Sequence, residues 1–289
     1  MRIGAVFPQT EIGDDPGEIA AWARGVEELG YRHVVAYDHV VGAGLDTRPN
    51  WTGPYSSADA FHEIFVLFGY LAAITSMELV TGVLILPQRQ TALVAKQAAA
   101  IDVLTGGRLR LGVGVGWNPV EFDVLGESFT DRGARIEEQV TLLRALWAEP
   151  TITFDGRWHH VHNAGIRPRP AKGTIPVWFG GNAEAVLRRT GRLGDGWLPQ
   201  RPPDATAAAM LDRIHRYATE AGRSPADVGC EARMSVARVP EPDWAGYLTG
   251  WRDLGATHLS VNTMGLGLPD AAAHLDVLRD VKVVSDRTV

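Results

Sequence analysis

The chain predicts an α/β fold of the (β/α)8 TIM barrel type. Short apolar runs alternate with amphipathic helical segments along most of its length, and eight such runs appear in β-α order. At 289 residues it also has room for a barrel, which needs roughly 250. Hydrophobic residues make up 45% and charged residues 21%, enough for a full core without a disordered tract. No linker or composition shift divides it, so one domain is expected over residues 1–289.

Arg2 to Gln9 (RIGAVFPQ) has the character of a buried strand ending in a polar residue. A helix follows, with Asp15 as N-cap, Pro16 at its first position and Glu18 three residues after the cap. Ile19, Trp22, Ala23, Val26 and Leu29 hold helical spacing, and Gly30 ends the run. His33 to Val40 is a second strand, which completes a βαβ unit and implies a parallel sheet. Phe65 to Ile74 suits a helix, Leu79 to Leu86 an apolar strand, and Thr91 to Leu104 a helix stopped by Gly106 and Gly107. Leu109 to Gly116 is the fourth strand. Asn118 then caps a helical turn that starts at Pro119, and Arg135 to Trp147 is amphipathic.

Residues 151–175 break the rhythm and suit a β-hairpin insertion, with Thr151–Phe154 and Trp158–Val161 around Asp155-Gly156. Strands are then expected at Pro176–Gly180, Gly196–Gln200, Glu231–Val236 and His258–Asn262. Helices fall at 183–193, 204–221 and 243–254, and a last one at 269–281. The rival fold, an open doubly wound sheet, would carry a Gly-rich fingerprint in its first βα turn. That turn is Gln9-Thr10-Glu11-Ile12-Gly13-Asp14, and the later cluster Gly112, Gly114, Gly116 has Trp117 where a further glycine would be needed.

Composition narrows the partners. A net charge of -6 with no run of Lys and Arg argues against nucleic acid. Cys230 is the only cysteine, which excludes an intrachain disulfide framework and CxxC metal sites. Ile3 to Phe7 is too short for a signal-peptide core, and Ile64 to Ile74 falls below the roughly 20 residues that cross a bilayer. The expected setting is the cytoplasm, away from membranes.

In a parallel barrel, function sits at the C-terminal ends of the strands. Those ends hold Gln9, Asp38 and His39, Gly82 to Pro87, Gly116 to Asn118, Gly180 to Asn182, Gln200 and Asn262. Asp38-His39 could polarise a ligand or move a proton, since imidazole titrates near neutral pH; the plainer reading is a surface Asp beside a packed His. Gly180-Gly181-Asn182, between a strand and a helix, suits a phosphate site with Asn182 as cap, or an ordinary tight turn. His159, His160 and His162 lie on opposite faces of a strand and belong to an exposed hairpin; no metal site is expected. His62-Glu63 is not an HExxH motif, because position 66 is Val, and no GxSxG is present.

The segment TGVLILPQRQTALVAKQAAAIDVLTGGRLRLGVGVGWNPVEF, Thr81 to Phe122, resembles the luciferase-like monooxygenase family, and within it the coenzyme F420-dependent branch. So do RIGAVFPQ at 2–9, AYDHV at 36–40, FHEIF at 61–65 and PVWFGGNAEAVLRR at 176–189; the likeness extends from Arg2 to about Gln200. The resemblance implies an eight-stranded barrel, a homodimer, and hydride transfer between deazaflavin F420 and a small organic substrate. It gives His39 the place of an active-site histidine beside the cofactor ring, with Asp38 at the ring edge. Gly82-Val83 resembles the position where relatives carry a non-prolyl cis peptide under the ring. Gly116 and Asn118 resemble cofactor contacts, and Gly180, Gly181 and Asn182 a phosphate turn. Val83 to Pro87 and Trp117 would supply the apolar slot a tricyclic ring needs.

FMN with oxygen is the nearest alternative, because both cofactors share the ring and the ribityl phosphate. Arg89 and Lys96 could meet the extra carboxylates of the F420 tail, or stand on a solvated helix face. A non-catalytic cofactor carrier and a sugar-phosphate barrel enzyme are the other classes in play. Gln9, His62, Gln200 and Asn262 could face the substrate, but none dictates its chemistry.

Overall fold

The computed structural model describes residues 1–289. The first strand, β1 (Arg2–Val6), leads to α1 (Pro16–Glu28), where the Asp15 carboxylate accepts from the Gly17 N–H at 2.7 Å, as its place before Pro16 predicts. There follow β2 (His33–Ala36), α2 (Ile64–Ala72), β3 (Glu78–Thr81), β4 (Leu84–Ile85), α3 (Thr91–Thr105), β5 (Leu109–Gly114), α4 (Pro119–Val124) and α5 (Arg132–Ala148). A hairpin, β6 (Ile152–Asp155) and β7 (His160–Ala164), precedes β8 (Val177–Gly180), α6 (Glu184–Leu193), β9 (Gly196–Leu198) and α7 (Ala205–Glu220). The chain ends with β10 (Gly229–Ser235), α8 (Trp244–Asp253), β11 (His258–Asn262) and α9 (Ala271–Thr288).

With β3 and β4 as two halves of one stave, eight parallel staves run β1, β2, β3–β4, β5, β8, β9, β10, β11 and back to β1. The expected (β/α)8 TIM barrel is therefore present, closed where β5 pairs with both β3 and β4. No helix is long and apolar enough to cross a membrane.

Several elements differ from expectation, three of them in ways that bear on the barrel ends. The second strand stops at Ala36 rather than Val40, because the Gln9 side chain takes both hydrogen-bonding groups of Tyr37: its Nε2 donates to the Tyr37 carbonyl at 3.0 Å, and its Oε1 accepts from the Tyr37 N–H at 3.3 Å. The strand expected over Leu79–Leu86 is split at Gly82-Val83, whose peptide bond is cis, as the resemblance implied. The last helix runs on to Thr288, capped at its start by Asp270, whose carboxylate accepts from the Ala273 N–H at 2.9 Å.

The 151–175 insertion is a hairpin, with its second strand later than Trp158–Val161. Glu138 on α5 explains the delay. Its carboxylate accepts from the N–H groups of Arg157, Trp158 and His159 at 2.8, 2.9 and 2.9 Å, so these residues turn toward α5 before pairing starts. His159 adds a fourth bond from Nδ1 at 2.8 Å and is only partly exposed, whereas His160 stands out on the surface beside Asp155.

Between staves and helices the core is apolar, with Trp22, Trp147, Trp197 and Trp251 fully buried. Inside the barrel, toward its N-terminal end, it is ionic. Glu231 on β10 pairs with His33 at 2.8 Å and with Arg110 at 2.5 Å, and Arg110 also reaches Glu78 at 3.1 Å. Gly4 and Gly196 leave room for this layer: a Cβ on Gly4 would lie 2.3 Å from the His33 ring, and one on Gly196 2.2 Å from Trp178. Burial opposes the charge on Glu231, but Arg110 and His33 outweigh it and hold the carboxyl well below the usual range.

Removing one partner from a buried ion pair strands the other. Glu231→Gln is therefore expected to lower unfolding stability in urea at pH 7 by about 3 kcal/mol; a change within roughly 0.5 kcal/mol, the size of an ordinary surface substitution, would refute the account. Burial first, and then the Arg110 charge, push His258 down from 6.5 to about 3. It is neutral in the fold and gains a proton on unfolding, so acidification through this window favours the unfolded chain. His258→Gln should flatten the fall of Tm between pH 6.5 and about 3; an unchanged slope would remove His258 as a cause.

Candidate functional site

The C-terminal mouth of the barrel begins where Gln9 ends β2. Beyond that point Asp38 is 2% exposed and lines neither the cavity of His39 nor that of Val83. One carboxylate oxygen accepts from Arg89 at 2.6 Å, the other from the Ile85 N–H at 3.0 Å. Arg89 also reaches Glu63 at 3.0 Å, and Glu63 caps α2 by accepting from the Val66 N–H. Asp38 thus ties the end of β2 to β4 and to the start of α2. Burial pushes its carboxyl up, against the pull of Arg89 and the Ile85 N–H.

His39, by contrast, lines a cavity of about 300 Å³ with Tyr55, Ser56, Asp59, Phe61 and Asn118. The ring edges of Tyr55, Phe61 and Trp117 enclose it, with centroids 5.0, 4.7 and 5.7 Å away. Its Nδ1 lies 3.3 Å from Glu121 Oε1, and Nε2 makes no bond to the protein. Glu121 is 1% exposed and also accepts from the N–H groups of Val40 and Val41 at 2.7 and 3.3 Å and from Gln88 Nε2 at 3.2 Å. Burial opposes its charge, but His39, the Val40 N–H and Gln88 hold the carboxyl below the usual range. A carboxylate at Nδ1 selects the tautomer protonated there, which leaves the Nε2 lone pair of a neutral ring facing the cavity.

Glu121 was missed by sequence reasoning, although a signal was present. It stands at the third position of α4 after the cap Asn118, where a glutamate usually turns back to the cap N–H. Here it reaches across to the loop after β2. Asn118 does cap α4, its Oδ1 accepting from the Val120 N–H at 3.1 Å, and it lines the His39 cavity. Gly116 has φ +73, and a Cβ there would meet Ile85 at 2.7 Å, so it serves the turn that aims Trp117 and Asn118.

Gly82, Val83 and Gly180 line a neighbouring cavity with Tyr37, Leu198, Pro199, Gln200 and Arg233. Val83 fills the space left by two glycines: a Cβ on Gly114 would lie 2.5 Å, and one on Gly180 2.7 Å, from its methyl groups. The turn after β8 differs from expectation. Gly181 alone takes a left-handed φ, +122. Asn182 is not the cap of α6; that position is Ala183, which makes no side-chain bond. Asn182 instead brackets the Gln200 backbone, donating to its carbonyl at 3.3 Å and accepting from its N–H at 3.2 Å. The first N–H groups of α6 therefore lack a side-chain cap.

Other candidates are used locally. Gln9 holds Tyr37, Asn262 accepts from the Met264 N–H at 3.0 Å, and Arg89 is taken by Asp38 and Glu63. Lys96 is exposed on α3. His62 is partly buried with Nε2 unpartnered, and Gln200 does face the cavity of Val83. Tyr37 and Arg233, unflagged in the sequence, meet at the mouth, where Arg233 donates to the Tyr37 hydroxyl at 2.9 Å.

The mouth thus combines an oriented imidazole, an apolar and glycine-lined wall, and an uncapped helix start. The family model of luciferase-like monooxygenases matches residues 1–277, and the chain belongs to that family. An F420-dependent glucose-6-phosphate dehydrogenase of Intrasporangium calvum is 34% identical over 237 residues, which cover 76% of this chain and 70% of that protein. Among solved structures, an F420-dependent secondary alcohol dehydrogenase in complex with an F420-acetone adduct superposes with a TM-score of 0.78 at 17% identity, over 98% of each chain. The monooxygenase RslO1 of Streptomyces bottropensis gives 0.75 at 18% identity, over 97% of this chain and 98% of that one. At these identities the two structures speak for the fold.

A glutamine at position 121 cannot accept from all four donors with a full charge. Glu121→Gln is expected to lower stability by about 2 kcal/mol, read as a shift of the urea midpoint. An unchanged midpoint would deny Glu121 the role of holding the loop after β2.

Proposed function

We propose that the protein is a coenzyme F420-dependent oxidoreductase that transfers a hydride between the deazaflavin and a small organic substrate. The observation that carries the reading is His39: its Nδ1 is fixed by buried Glu121 and its Nε2 is free at a cavity beside an apolar wall.

The residues present fit such a cofactor. Gly82, Val83, Gly180, Leu198 and Pro199 form an uncharged wall; the cavity they line encloses only about 30 Å³, with Glu231 and Arg233 also on it, so a flat ring would lie across this wall rather than inside the cavity. The uncapped start of α6 beside Gly181 offers N–H donors to a phosphate. Gly180, Gly181 and Asn182 would hold that end, Asn182 by fixing the Gln200 backbone against the turn. Gly82, Val83, Gly116 and Asn118 would shape the ring side. When bound, the deazaflavin supplies the carbon that gives or takes the hydride.

His39 handles the accompanying proton at Nε2, accepting it when substrate is oxidised and returning it when substrate is reduced. Glu121 keeps the ring oriented and balances the imidazolium formed on protonation. Asp38 acts as a positioning residue, through Arg89 and the Ile85 N–H. Tyr55, Phe61 and Trp117 pack against the imidazole and hold its ring in place.

Arg89 is occupied by carboxylates of the protein, so it lends no support to F420 over FMN; the preference rests on the 34%-identical F420-dependent glucose-6-phosphate dehydrogenase. Fluorescence titration with oxidised F420 and with FMN separately is expected to show F420 bound at least about tenfold tighter. Preference for FMN would move the reading to an oxygen-using monooxygenase, and binding of neither would end it. With any small alcohol or aldehyde found to turn over, His39→Ala should cut kcat by about 10²–10⁴-fold while F420 affinity holds. Unchanged kcat would release His39 from this role.

A further inference from the structure

In the ring of eight staves, β10 stands four places from β3–β4, so Arg233 faces the Gly82-Val83 peptide across the barrel axis. Three other buried or half-buried guanidiniums of the barrel and its surrounding loops are balanced by carboxylates. Arg110 meets Glu78 and Glu231, Arg89 meets Asp38 and Glu63, and Arg135 meets Glu127 and Asp131. Arg233 meets only a neutral phenol, that of Tyr37, over whose ring its guanidinium also lies, 5.5 Å from the centre. The bond uses Nη1 and leaves the Nη2 and Nε donors without a protein partner.

Arg233 borders a cleft of about 230 Å³ lined also with Gln200, Arg201, Ser235, Arg238 and Tyr247. No carboxylate lines it. Arg201 is balanced by Asp204 at 3.0 Å, but Arg238, exposed at the rim, forms no ion pair. The cleft adjoins the cavity of Gly82, Val83 and Gly180, with Gln200 and Arg233 lining both. Glu231 lines that second cavity, yet its charge is taken by Arg110 and His33. The result is an excess of positive charge in a cleft next to the uncharged wall of Gly82, Val83, Gly180, Leu198 and Pro199.

We propose that this cleft is an anion pocket for the substrate: a carboxylate or phosphate group docks on Arg233 and Arg238, and the reacting carbon extends toward the wall of Gly82, Val83 and Gly180. The placement of the reacting carbon rests on the reading of that wall as the cofactor's. Guanidinium donors are arranged in a fork that matches the oxygens of either group. Tyr37 fixes the plane of Arg233, so less side-chain freedom is lost on binding. Tyr247 stiffens the same wall, its hydroxyl donating to the Arg233 carbonyl at 2.9 Å and the Arg201 carbonyl at 3.3 Å.

The test is calorimetric titration of the purified protein, with and without saturating F420, using inorganic phosphate and benzoate as separate probes. The wild type should bind at least one of them saturably; Arg233→Gln should weaken it by at least about tenfold, and Arg238→Gln by about threefold. Preference for phosphate or for benzoate assigns the group the substrate carries. Arg233→Gln should leave affinity for F420, and for the deazaflavin lacking its phosphate and tail, within about twofold. No saturable binding to the wild type, or equal affinity in the wild type and both variants, would overturn the proposal. So would an Arg233→Gln variant that loses F420 but keeps the tail-less deazaflavin, since the arginine would then serve the cofactor's tail. Should Arg233→Gln fail to fold, Arg238→Gln decides alone, and an unchanged affinity there counts against the pocket. If the wild type bound no F420, the cofactor reading would fail while the titration of the free protein still judged the anion pocket.

Discussion

The carboxylate of Glu121 lies out of water with four donors on it: the N–H groups of Val40 and Val41, His39 Nδ1 and Gln88 Nε2. Beyond Ala36 the chain has left the sheet and has no ladder to hold it, so the direction of His39 depends on this contact. Ionic groups buried to this degree are tolerated only when their hydrogen-bonding capacity is met. Here the requirement joins elements distant in sequence, because Glu121 belongs to the helix after β5 and its donors to loops beside β2 and β4. The Asp38–Arg89–Glu63 cluster does similar work on the other side of the same loop. Two polar clusters therefore stand in for the sheet where it ends.

Deeper in the barrel another ionic layer, built on Glu231, occupies space that apolar side chains fill in many barrels. Its charges are paired among themselves, and Glu231, although it borders the cavity of Gly82, Val83 and Gly180, is committed to His33 and Arg110. Arg233, only two residues along β10 from Glu231, therefore retains an unmatched charge. The same strand thus carries a satisfied ion and an unsatisfied one, at different depths along the barrel axis.

The fold was largely legible in the sequence. The alternation of periods, the cap at Asp15-Pro16 and the glycine stop at 106–107 are local signals, and each corresponds to an observed boundary. What went unread was decided by contacts across the barrel. Gln9 ends β2 early by bonding Tyr37, and no pattern within His33–Val40 announces it. At the mouth, His39 and Asn118 line one cavity, and Gly82, Val83 and Gly180 another, whereas the resemblance had set all five around one cofactor. Asp38 was expected at the ring edge beside His39; its carboxylate is buried, because a carboxylate flanked by an arginine and a free N–H is held by both. Asn182 resembled a cap by residue type and position, but the nearby Gln200 backbone competes for its amide. Glu121, Tyr37 and Arg233 acquire meaning only when strands 2, 5 and 10 are brought together.

The hairpin at 151–175 is attached in a way that bears on how the sequence can change. Glu138 holds it almost wholly through main-chain N–H groups, which every residue but proline possesses. The side chains of Arg157 and Trp158 are therefore not specified by this anchor, whereas Gly156 is: a Cβ there would come within 2.4 Å of the Glu138 carboxylate. By this geometry the glutamate on α5 and the glycine in the turn depend on each other, whereas the Arg157 side chain can change without loss of the anchor. The surface it presents can thus diversify without disturbing the barrel that carries it.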